Sequence, residues 1–187
     1  YFMRISPFRI IVACLVAMAL LWLLFGYFGV QALFTNTTVN DPLPPTSKEP
    51  SSNALTSPTP SDLPTTPSST QTALRGDFMQ GDSTYRIKGS ARVVTEGETR
   101  TLILSDFDVT NGPDLFVYLV AASSTENSDV KERTSQGRFV QLATLKGNRG
   151  NQTYALPADL DVSNYPVVSI WCRRFSRNFG SALLGTE

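Results

Sequence analysis

Cys172 is the residue best placed to do chemistry, lying in the run Ser169-Ile170-Trp171-Cys172-Arg173-Arg174-Phe175 with Arg177 just beyond. A cysteine becomes a nucleophile, a metal ligand or a redox centre as its thiolate, and nearby positive charge favours that form. Arg173 and Arg174 would lower its pKa if they turn towards it, and with Trp171 they are the candidate tuning residues. The competing reading is structural, because a free cysteine is among the most buried residue types and often serves as a small hydrophobe. The chain has no histidine. That removes Ser-His-Asp triads, Cys-His pairs, His-ligated haem and most zinc sites.

A second oxygen-rich group is Asp106, Asp108, Asn111 and Asp114. Calcium takes six to eight oxygen ligands in general, so these are candidate ligands, although a weak set. Phe107 and Val109 interleave the carboxylates as strand residues would, and the spacing is not that of an EF-hand. Turn capping and solvation account for the same side chains. Met79 is the one methionine beyond the N-terminal segment, so methionine ligation of haem or copper has a single candidate. The aromatics Phe107, Phe116, Tyr118, Tyr154, Trp171, Phe175 and Phe179 read chiefly as core.

The elements that must position these groups are short and β-rich. Runs at 90–95, 100–107, 115–121, 139–145, 153–156, 167–173 and 179–184 are separated by turn signals, which predicts an all-β antiparallel sandwich or barrel. Glu96-Gly97 marks a hairpin, and Asn111-Gly112-Pro113-Asp114 and Lys146-Gly147-Asn148-Arg149-Gly150 mark further turns. Residues 123–137 show no apolar periodicity and read as a surface loop with a helical turn around 129–133. On the strand carrying the thiol, alternation groups Val168, Ile170, Cys172 and Arg174 on one face, and Val167, Ser169, Trp171 and Arg173 on the other.

Three zones organise the chain. In residues 1–34 an uncharged apolar run over 10–30 is long enough to span a bilayer. Arg4 and Arg9 precede it without acidic neighbours, which places the N-terminus in the cytoplasm and the rest outside. A cleaved signal ending near Val30-Gln31-Ala32 is the alternative, and Cys14 reads as a small apolar residue of the helix. Residues 35–73 are rich in Pro, Ser and Thr, a composition that predicts a disordered tether reaching on the order of 100 Å at full stretch. Asn36-Thr37-Thr38 and Asn151-Gln152-Thr153 fit the glycosylation pattern, relevant only in a eukaryotic secretory pathway. Residues 74–187 form the folded domain. Its charges balance, as they do over the whole chain with 16 basic and 16 acidic side chains, so nucleic acid is an unfavoured partner.

Several strings, in order, carry a resemblance. Asp106-Phe107, then Asn111-Gly112-Pro113-Asp114-Leu115 with Val117-Tyr118-Leu119, then Leu145-Lys146-Gly147-Asn148 with Gly150-Asn151-Gln152-Thr153-Tyr154, then Ile170-Trp171-Cys172 and Phe179-Gly180 resemble the electron-transfer DM-thirteen domain family over residues 74–184. The resemblance implies an extracytoplasmic β domain with a redox role. Its tryptophan-cysteine motif falls on Trp171-Cys172, and the resemblance implies that this cysteine acts as a bare thiol or as the ligand of a prosthetic group such as haem. The expectation is a membrane-anchored domain in electron transfer or thiol redox chemistry through Cys172, with a separate redox protein as partner. The alternative is a non-catalytic adhesion or ligand-binding sandwich with Cys172 in its core.

Overall fold

The computed structural model describes residues 7–27, 35–43 and 74–186. Arg4, the Val30-Gln31-Ala32 segment and residues 44–73 of the expected tether lie outside the described residues.

Helix α1 spans Pro7–Trp22 and passes into a π-helical turn over Leu23–Tyr27. Its apolar side chains, among them Ile11, Val16, Leu20 and Trp22, are exposed, and none of its residues is buried. Among the described residues no helix is long and apolar enough to cross a membrane. Of the spanning helix expected over 10–30, residues 28–30 lie outside the described residues. The regular α-helical hydrogen bonding stops at Trp22, where the π turn begins.

The domain is an all-β antiparallel sandwich. One sheet runs β10-β1-β3-β4-β7 and the other β2-β9-β8-β5-β6. In chain order the strands are β1 Leu74–Asp77, β2 Met79–Gln80, β3 Ile87–Glu96, β4 Thr99–Val109, β5 Leu115–Val120, β6 Phe139–Thr144, β7 Arg149–Ala155, β8 Val167–Cys172, β9 Arg177–Leu183 and β10 Gly185–Thr186. Between the sheets lies one core containing Val93, Leu102, Leu104, Phe107, Val117, Leu119, Val168, Ile170 and Phe179. A barrel would need the two sheets to close on each other, and each instead has its own edge strands.

Strand β4 shows how sequence sets packing. Leu102 and Leu104 face the core, and so do Phe107 and Val109, an odd-numbered pair after an even-numbered one. Period-two alternation cannot do this without an inserted residue. The register slips where it must, between Leu104 and Phe107 against β7 and between Lys88 and Ser90 against β3. Asp106 takes φ 50° there and Gly89, opposite, φ 106°. A Cβ on Gly89 would lie 2.6 Å from the Ser105 carbonyl oxygen, so the bulge requires glycine.

Residues 123–137 hold a complete helix, α2 (Asn127–Ser135), in place of the expected loop with a turn. Asp129 fixes its start: Oδ2 accepts from the backbone N–H of Ser123 (2.9 Å) and Ser124 (3.1 Å). Val130 sits fully buried beneath it, in a second apolar cluster with Phe116, Tyr118, Val167 and Trp171. The outer face of the second sheet is thereby covered, which is why every residue of β5 and of β8 is buried. Too few apolar positions on α2 repeat at helical spacing for periodicity to reveal it.

Candidate functional site

Cys172 is the last residue of β8 and is fully buried. As alternation predicts, it shares the inter-sheet core with Val168 and Ile170, while Val167 and Trp171 face the outer cluster. Its cross-strand neighbours are Leu115 on β5 and Arg177 on β9. Burial raises the thiol above its ordinary pKa, and the nearby Asp114 carboxylate works in the same direction. The groups that favour the thiolate are backbone N–H groups of Phe175, Arg174 and Asp114, not guanidinium charges. The lowering that Arg173 and Arg174 would bring if they turned towards the sulfur is not among the influences on the thiol, and removal from water outweighs what the surrounding dipoles return.

Arg173 is turned away from the sulfur. It pairs with Asp114 (Nε to Oδ2, 3.2 Å) and lies 4.5 Å over the ring of Phe116. Trp171 stacks towards Tyr118 at 6.3 Å between centroids, and Tyr118 stacks on Phe139 at 4.5 Å. These rings line a cleft of about 420 Å³ with Lys131, Gln141 and Arg173. The predicted tuning residues Trp171 and Arg173 therefore build a surface site on the outer face, one residue along the strand from the buried thiol. Arg174 is exposed in the β8–β9 turn.

Two partners of this region are not marked by the motifs. Tyr85 stacks flat on Phe179 (3.7 Å, 8°), and burial followed by the charges of Asp82 and Cys172 raises its hydroxyl pKa. Its signal in the sequence was only that of one aromatic in a turn-rich stretch. Asp82, held below its usual range chiefly by the Thr84 backbone N–H, pairs with Arg177 at 3.3 Å.

The oxygen-rich group does not converge. Asp108 pairs with Arg149 and Asp114 with Arg173, while Asn111 donates to Asn36. Among the described residues no group of three or more His, Cys, Asp or Glu is arranged to hold a metal ion. Nor do the residues at Cys172 fit a haem. The side chain is fully buried in the core cluster that also holds Leu115, Ile170 and Phe179, and Met79 is exposed on the edge strand β2.

The strings that carry the family resemblance frame this end of the sandwich. The Asn111–Asp114 turn accepts the Arg173 backbone N–H at the Asp114 carbonyl (3.0 Å). A Cβ on Gly112 would lie 2.8 Å from the side chain of Leu115, the residue opposite Cys172, so a larger residue in this turn would have to push that side chain aside. Comparison with curated proteins and with solved structures finds no match. The family model described as electron transfer DM13 matches residues 78–184, more than half of the chain and nearly all of the sandwich. The chain belongs to the electron-transfer DM13 family.

Proposed function

We propose that this is a membrane-anchored domain that takes part in electron transfer outside the cytoplasm, with Cys172 as its inner element. The observation that carries the reading is the stacked path Phe139–Tyr118–Trp171, which runs from a surface cleft to the residue covalently joined to Cys172. An electron needs no open channel to cross packed rings, so a buried sulfur is compatible with the role. The cleft carries Lys131 and Arg173 at its rim, which suits a partner protein with an acidic face. Support for the anchor is the apolar surface of α1, which is exposed among the described residues. Such a surface is stable in lipid and not in water. With Arg9 at the helix start, the N-terminus is cytoplasmic.

Voltammetry of the full chain in detergent micelles tests this. A redox wave that Cys172→Ser abolishes and Trp171→Leu slows, each with the β-sheet circular dichroism unchanged, is the expected result. Absence of any wave in the unsubstituted protein overturns it.

A second reading is favoured by the burial and raised pKa of the thiol. The domain is then a non-catalytic display module in which Cys172 fills the core. Under it Cys172→Ser changes stability alone.

A further inference from the structure

We infer that β7 and the loop before it form an acceptor site for an extended peptide strand, occupied in this chain by residues 35–43. The segment runs parallel to β7, which it borders as an added edge: Arg149 N–H donates to the Thr37 carbonyl (3.2 Å), Val39 N–H to the Arg149 carbonyl (2.9 Å) and Asp41 N–H to the Asn151 carbonyl (3.0 Å). Strand addition of this kind takes affinity from the main chain and selectivity from side chains.

The domain side is built for it. Asn148 is 6% exposed, its Oδ1 accepts the Thr37 N–H at 2.7 Å, and its Nδ2 donates to Asn36 Oδ1 at 2.9 Å. Fully buried Gln152 holds the loop that carries Asn148, donating to the Gly147 carbonyl (2.9 Å) and accepting from the Tyr154 hydroxyl (2.7 Å). At the far end Asp41 Oδ2 receives Lys146 Nζ (2.5 Å), the Thr153 N–H (2.9 Å) and the Thr153 hydroxyl (3.1 Å). A Cβ on Gly147 would lie 2.5 Å from the Thr37 carbonyl oxygen and 2.8 Å from Val39, and its three nearest atoms all belong to the docked segment. The glycine thus makes room for the strand.

The ligand class follows: an extended peptide with an asparagine at one position and an aspartate five residues on. Docking it in cis ties together two parts of one chain, at an entropy cost that grows only slowly with the length between them. It also takes residues 35–43 out of the tether expected from composition.

The test uses the full chain in detergent micelles with a sequence-specific protease site placed within residues 51–60. After cleavage the N-terminal piece and the domain should elute together, with the Val39 and Asp41 amides still protected from deuterium exchange. Asp41→Ala and Gly147→Ala should each weaken that association roughly tenfold or more. Immediate separation of the unsubstituted pieces, or an association indifferent to both substitutions, overturns the inference. Whether the N-terminal piece enters the micelle reports separately on α1.

Discussion

At Cys172 the competition is between burial, which favours the neutral thiol, and three backbone N–H groups, which favour the thiolate; burial wins. A group whose folded pKa is raised contributes stability that is full below its unfolded value and is lost as pH climbs through the folded one. The ordinary thiol value is 9.0, so stability should begin to fall near pH 9. Tyr154, pushed up to about 12 chiefly by burial, adds to the loss at higher pH. Chemical denaturation from pH 7 to 10.5 should show this decline, and Cys172→Ala should flatten its first part. Cys172→Ser places a hydroxyl in apolar surroundings and should cost about 1–3 kcal/mol. Native protein should also react with a thiol reagent at Cys172 far more slowly than unfolded protein does. Asp41 behaves oppositely. The Lys146 hydrogen bond and the Thr153 N–H hold its pKa below 3.8, so its contribution to docking is full above that value and is lost as pH falls through the lower, docked one. Deuterium exchange at Val39 should rise over that acidic interval.

Among the elements, α2 is the piece on which the outer face depends. It carries few apolar residues, yet Val130 and Thr134 are buried against the second sheet and Asp129 ties the preceding turn to the first helical turn. Replacing Asp129 by Ala removes acceptors from two backbone N–H groups, a loss of about 1–2 kcal/mol. Trp171 lies beneath this helix and serves as the reporter: Asp129→Ala should shift its emission to the red while the core strands stay paired. Unchanged emission would show that the helix is held by packing alone. The β4 bulge makes a related point. By inserting one residue at Asp106 it turns both halves of a long strand towards the core, and it leaves Asp106 and Asp108 exposed, apart from any shared ligand site.

For the whole molecule, the docked segment changes the distance between membrane and domain. A tether of thirty-nine residues would let the domain roam on the order of 100 Å from the bilayer. With residues 35–43 bound along β7, the span from Tyr27 to Thr35 joins the π-helical turn after α1 to the docked segment, at most about 28 Å of chain. On the anchored reading, energy transfer between labelled lipid and the domain should be strong in the unsubstituted protein and drop on Gly147→Ala. Equal transfer in both would mean that the domain's height is set elsewhere. A domain held near the bilayer would exchange electrons with membrane-bound partners, whereas a released one would reach outward.

The two-sheet β architecture, the position of Cys172 beside Val168 and Ile170, and the family were all legible in the chain, because period-two alternation and turn residues are local and the motif strings are contiguous. The covering of the outer face by α2 was not, since a polar helix with two buried side chains leaves no periodic mark. Alternation put Arg173 on the face opposite the thiol, but the order of residues could not show that it meets Asp114 and Phe116 there. The seating of residues 35–43 was the least legible of all. Its contacts join positions more than a hundred residues apart, and a Thr- and Asn-rich segment that composition assigns to open coil becomes ordered only where Asn148, Lys146 and a gap at Gly147 are brought together to receive it.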